Sequence, residues 1–484
     1  MKDKRGSLIA LPLALFALIG AIGLGYAVVL AFTDYTVFRG LFGSAFVGFD
    51  NFARLVNRSD FKMTLYMSLL QTFLTVIIAL PFAALGGAIL SSIGNRAVKA
   101  GIAGAMLVIA IVPDVLWAQL GLMLPFDYQE EYVIPFVISK IVPQIALCLF
   151  GGLCLNLAEE KSGAAGALAV SLLPLTTVLL PDIRMNLFFG TPSNRIISDT
   201  LSMSSYRYGL LNMQYSLSGA QSVAGILISL FVGLIPALLI GKLASRKPLM
   251  DKEDLEGNVW QTEGLAAVGC ALAAGVIALG VTLGSGTLNL SSATLNALLN
   301  TLLIALLCFI PALALCAVAL VCSRYCRSGI PFGMIALVLG LLSAFTVCGY
   351  MTMRNLGMIN TLLAPALGAL KHPVFIAVLF VLMCARPTSP RQLLLTIAGG
   401  AMVAAAVSAG DWFSQMLSVN DNDLRGLAFY LRQALMTSSP DSVVGTGSTL
   451  LLAVTSVLGA LGAGLVMAGI GGAELTRAQN PYDI

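Results

Sequence analysis

Few side chains here could do chemistry, and those that could sit inside or beside long apolar runs. Asp114 follows Pro113 within one such run, and Lys140 interrupts another. A charge inside a lipid-spanning helix is costly, so each is read first as a functional group. Asp114 either lines a solute path or marks a helix break at the interface. Lys140 either faces that path or snorkels its ammonium toward an interface. His372, the single histidine, follows Lys371 at the start of a run, and no neighbour completes a proton relay. Trp412 and Phe413 stand at the edge of a run. Aromatics at that depth form the interfacial belt or offer a ring face to a solute. There is no Ser/His/Asp set, no pair of catalytic acids and no glycine-rich loop ending in Gly-Lys-Ser or Gly-Lys-Thr. The chain reads as a non-enzyme with no cofactor of its own. The nine cysteines lie in or beside apolar runs and read as small core residues. Cys322 and Cys326 share a helix face, but no His or acid joins them, so no metal site is expected.

The elements that must position these groups follow from composition. Of 484 residues, 58% are hydrophobic and 10% charged, and the mean hydropathy is +0.93. That excludes a soluble fold. A bilayer core about 30 Å thick needs roughly 20 apolar residues per helix. Lipid cannot satisfy backbone N–H and C=O groups, so spans are helices or a closed barrel. Continuous apolar runs, without alternation, select helices. Twelve are expected, near 8–32, 63–91, 98–122, 132–156, 164–181, 219–243, 264–284, 294–322, 330–350, 373–385, 392–409 and 447–470. The expected fold class is an all-α polytopic membrane protein.

Basic residues gather in alternate short loops: Lys2, Lys4 and Arg5; Arg96 and Lys99; Lys161; Lys242, Arg246, Lys247 and Lys252; Arg324 and Arg327; Arg386 and Arg391. By the positive-inside rule both termini are cytoplasmic. The first outer loop, with Arg39, Arg54, Arg58 and Lys62 beside Asp34, Asp50 and Asp60, argues weakly the other way, and the short loops outvote it. The net charge of +4, spread over these loops, indicates no nucleic-acid partner. The polar residues 244–263 read as a cytoplasmic linker between a first half, 1–243, and a second half, 264–484. Six helices on each side give both halves one orientation, as in a parallel repeat with a solute path between them.

Particular segments carry a resemblance. The first half contains Tyr26-Ala-Val-Val-Leu-Ala-Phe-Thr-Asp-Tyr35, then Phe46-Val-Gly-Phe-Asp-Asn-Phe52, and later Ser198–Leu210 followed by Gln214–Ala220. The second half contains Leu298-Leu-Asn-Thr301, Leu356-Gly-Met-Ile-Asn-Thr-Leu-Leu-Ala-Pro365, Asp411-Trp-Phe413 and Leu427–Leu435. In this order they resemble the paired membrane subunits of ABC-type sugar and oligosaccharide importers, fused here into one chain. The resemblance implies a permease of the cytoplasmic membrane, moving a carbohydrate or related solute by alternating access. It implies cytoplasmic ATPase subunits and an extracytoplasmic solute-binding protein as partners. Asp114, Lys140, Trp412 and Phe413 are its candidate path residues. Tyr206, Arg207 and Tyr208 are candidate contacts for the binding protein, or simply part of a folded external loop.

One departure bears on function. The family carries a cytoplasmic E-A-A-x-x-x-G loop in each half, which docks into the ATPase. Here the first half has only Glu159-Glu160-Lys-Ser-Gly-Ala-Ala165, and the second has Cys384-Ala-Arg386-Pro-Thr-Ser-Pro-Arg391. Glu159, Glu160, Arg386 and Arg391 are therefore candidate coupling remnants. Two other readings stay open: a degenerate permease homologue acting as an accessory membrane subunit, and an ion-coupled secondary transporter.

Overall fold

The computed structural model describes residues 24–123, 133–159, 183–190, 194–243, 259–282, 290–325, 346–384, 390–437 and 441–471, with 165 and 168. The expected helix at 164–181 apart from 165 and 168, most of that at 330–350, the start of the first helix, residues 244–258, Glu160 and Arg386 lie outside them. In chain order the helices that matter are α1 (24–32), α2 (Asp50–Val56), α3 (Ser59–Ser91), α4 (Arg96–Ile111), α5 (Asp114–Met123), α6 (Val133–Glu159), α7 (Ile183–Phe189), α8 (Leu201–Tyr206) and α9 (Tyr215–Leu243). They continue with α10 (Val259–Thr282), α11 (Ser292–Tyr325), α12 (Thr346–Asn355), α13 (Leu363–Gly368), α14 (Pro373–Cys384), α15 (Pro390–Gly410), α16 (Trp412–Ser418), α17 (Leu427–Met436) and α18 (Asp441–Gly471). The only sheet among the described residues is a two-residue antiparallel pair, Thr33–Asp34 with Ala45–Phe46.

This is an all-α polytopic membrane protein. Among the described residues six helices are long and apolar enough to cross a bilayer, or eight if each of two bent pairs is one span. Large apolar side chains stand exposed along α3 (Phe73, Ile77, Phe82, Leu85), α9 (Phe231, Ile235) and α11 (Leu299, Leu306, Ile310), as a lipid-facing surface requires. The expected linker ends early: α10 begins at Val259, and Glu263 is a buried helical residue.

Prolines set the bends. Val112 is extended (φ −47, ψ 124) because a residue before proline avoids the helical region. At that break α5 turns 75° away from α4. A 62° bend separates the α13 segment from α14 at Pro373.

Apolar side chains gain nothing by leaving lipid for a helix interface, so close packing of small residues must hold such helices together. Gly104 of α4 lies so near α10 that an added Cβ would stand 2.5 Å from the Ala267 carbonyl oxygen. Gly464 of α18 meets Val268 of α10, and Gly462 of α18 meets Val403 of α15. Helix α10 is thus wedged between α4 and α18. Helix α1 is wedged the same way. Leu30 and Ala31 press on Gly219 of α9, and Ala27 and Leu30 share a cluster with Val347 and Met351 of α12. Each wedge joins the last long helix of its own segment to a helix of the other segment.

A second correspondence ties α8 and α17 to the long helices. Ser68 of α3 accepts from the Leu201 backbone N–H at 2.7 Å and donates to Thr64 O at 2.7 Å. Thr301 of α11 accepts from the Leu427 N–H at 2.7 Å and donates to Ala297 O at 2.8 Å. Each hydroxyl satisfies an orphan amide at the first residue of an incoming helix.

Candidate functional site

The break at Pro113 places Asp114 at the start of α5. Gly410 ends α15 against that proline; an added Cβ would stand 2.8 Å from Pro113 Cγ. The next residue, Asp411, caps α16, accepting from Ser414 N at 3.3 Å and from Ser414 Oγ at 2.5 Å. Arg184, near the start of α7, reaches between the two acids. Its Nη2 lies 3.2 Å from Asp411 Oδ1 and its Nε 3.7 Å from Asp114 Oδ2. The side chains of Arg184 and Asp411 are 10% and 1% exposed. An uncompensated charge would be very costly here, so the pair binds the two segments at this end.

Aromatic rings surround the node. Trp412 is fully buried and meets Phe188 edge-on, with centroids 5.1 Å apart. Phe413 lies 6.3 Å from the Tyr206 ring and 6.0 Å from the Arg184 guanidinium carbon. Arg432 of α17 lies over the Trp412 ring at 4.6 Å and near Phe188 at 5.8 Å. Its Nε is buried without an acceptor, and so is Trp412 Nε1. Burial pulls the Arg432 pKa down, partly opposed by Tyr206, and burial pushes the Tyr206 phenol up.

Of the path residues expected from sequence, Asp114, Trp412 and Phe413 come together here. Trp412 is packed under Arg432 rather than presented as an open face. Lys140 is half-buried in α6. His372 has a structural duty: its Nδ1 accepts from Val374 N at 3.3 Å, at the start of α14. Arg184 and Arg432, which the sequence reading missed, carry the geometry; each sits on a short helix without a spacing signal.

The expected binding-protein contacts turn inward. The Tyr208 hydroxyl donates to Asp60, and Arg58 lies over its ring at 4.7 Å. Arg207 pairs with Asp199 at 2.5 Å, and Asp199 also meets Arg195 at 3.6 Å. These ties describe a folded loop. The exposed tip beside them is Leu211–Gln214, with Met213 at φ 55. The motif asparagines are staples too. Asn51 donates to Ala31 O and Thr33 O, both at 3.0 Å. Asn360 Oδ1 accepts from Asn420 N at 2.7 Å and Asp421 N at 3.3 Å.

A second ion pair joins the segments at the far end of α4. Arg96 Nε meets Glu263 Oε1 of α10 at 2.6 Å, and the Glu263 side chain is fully buried. Sixteen residues of α4 separate the two nodes, about 24 Å of helix. Of the coupling remnants, Glu159 is the last residue of α6 and Arg391 is exposed near the start of α15. No group of three or more His, Cys, Asp or Glu able to hold a metal occurs among the described residues. No protein-family model matches the chain, and no curated protein is significantly similar to it.

Proposed function

We propose that this protein is the membrane permease of an ATP-driven importer, with both halves in one chain, moving a carbohydrate or related solute by alternating access. The observation that carries this reading is the pair of charged nodes between the two segments, Arg184 with Asp411 and Asp114 at one end, Arg96 with Glu263 at the other. Alternating access needs two halves that close on each other at either end of a path. The reciprocal wedging of α1 and α10, the matched hydroxyl caps at Ser68 and Thr301, and the ordered motifs favour two like halves of six helices. The short loops put both termini and the linker in the cytoplasm. ATPase subunits and an extracytoplasmic binding protein are its expected partners.

A second reading rests on one observation. Helix α14 ends at Cys384 and α15 begins at Pro390, so only five residues separate them, too few for a docking helix. That favours a permease homologue working as an accessory subunit. Purification of the full chain from its native membrane separates the two. An associated ATPase pair, lost on reversing Glu159 and Glu160 to lysine while insertion persists, supports the importer. A wild-type chain that never binds an ATPase and gives no ATP-dependent uptake in proteoliposomes refutes it.

A further inference from the structure

At the junction of the two segments, Arg432 is a cation that no described residue neutralises. Asp114 and Asp411 both face Arg184. Arg432 has neither an ion pair nor a hydrogen bond among the described residues; its contacts are the faces of Trp412 and Phe188. Guanidinium stays protonated at neutral pH even when burial lowers its pKa. Neither ring supplies an oxygen acceptor to the guanidinium N–H donors. The Nε is buried without an acceptor, while the residue as a whole is only half-buried, so the other donors keep access to solvent. A second orphan donor, Trp412 Nε1, belongs to a fully buried residue of the same cluster. Phe188 and Tyr206 come from the first segment, Trp412 and Arg432 from the second.

We propose that Arg432 is the receptor for an anionic group, a carboxylate, phosphate or sulfate, held at the seam between the two segments. The unused donors of a fixed planar fork match two oxygens of such a group. Taken with the permease reading, on which this step rests, the solute is an acidic saccharide rather than a neutral one. The same chemistry would also accept the phosphate of an anionic lipid headgroup.

The test uses the purified full chain in phosphatidylcholine nanodiscs. Glucuronate is titrated against tryptophan fluorescence, since Arg432 lies on Trp412. Glucuronate should give a saturable change, glucose at equal concentration none, and inorganic phosphate should compete. Arg432→Gln should weaken glucuronate roughly 10- to 100-fold, as loss of a charged hydrogen-bond donor does. Arg432→Lys should recover only part of that loss, since a point charge keeps the attraction but not the two-oxygen fork, and Arg54→Gln, on an exposed face of α2, should change nothing. If glucuronate is silent but phosphatidylglycerol is retained through Arg432 in lipid extracts, the anion is a headgroup. Equal responses to glucose and glucuronate overturn the proposal without needing a variant, as does failure to bind any anion. Unchanged anion binding in Arg432→Gln also overturns it. Binding needs no ATPase, so glucuronate held through Arg432 without any transport would sink the importer reading alone. Transport of a neutral sugar unaffected by Arg432→Gln would sink only the anion site.

Discussion

Replacing Gly104 by alanine tests whether α10 is a wedge that locks the two segments together. The added Cβ would lie 2.5 Å from Ala267 O and 3.0 Å from Ala267 Cα and C, all backbone atoms of α10. Comfortable carbon contacts begin near 3.5 Å, so the helices must part by something approaching 1 Å. Overpacking of that kind costs roughly 1–3 kcal/mol. Alanine also favours a helix over glycine by about 1 kcal/mol, which would mask part of the loss. Gly269 of α10 supplies the control, because nothing lies within 4 Å of a Cβ built there. The difference between the two alanine variants removes the propensity contribution and leaves the clash. The chain is split within 250–258 and the two pieces are co-expressed, one tagged and one labelled. Their exchange in nanodiscs gives the association constant. Gly104→Ala should fall roughly 5- to 150-fold below Gly269→Ala, since 1.4 kcal/mol is tenfold. Equal association by the two variants would refute the wedge. Two pieces that never associate, even unmutated, would show that the segments are independent.

Three further outcomes are expected. Arg184→Gln leaves Asp411 buried without its partner and should destabilise the protein by roughly 3–5 kcal/mol; Asp411→Asn on top should recover much of it, and simple addition of the two losses in thermal melts would exclude the ion pair. In a cysteine-free background, impermeant maleimide on intact cells should label Asn212→Cys and not Gly94→Cys, both exposed, and the reverse pattern would invert the topology. Burial first, and then its hydrogen bond to Asp60, raises the Tyr208 pKa. A phenol raised in the folded state contributes stability that is fully present below its unfolded value near 10 and is lost as pH rises through the folded value. The melting temperature should therefore fall above about pH 10 in the wild type and less steeply in Tyr208→Phe; identical alkaline profiles would show that the tie carries no weight.

The class of this protein was legible in its composition, because lipid leaves so few solutions to backbone hydrogen bonding. Apolar runs give the long helices within a few residues: α3, α11, α15 and α18 stand where the hydropathy put them. Pro113 marked the break that aims Asp114, and Asp411-Trp-Phe413 marked the turn beside it. Motif asparagines such as Asn51 and Asn360 were visible as residues, but not as staples. Their partners are backbone carbonyls and amides that only the folded chain brings near. Arg184 and Arg432 gave no periodic signal, because each lies on a short helix outside the spans. Their importance comes from sharing a seam with residues 227 positions away in the case of Arg184 and Asp411. Glu263 looked like linker charge until α10 buried it against Arg96. Sequence fixes what each helix can tolerate, lipid or protein, through the free energy of its side chains. Which charge answers which is set by close packing at glycines, where helix axes approach and long-range pairs are either made or left open, as at Arg432.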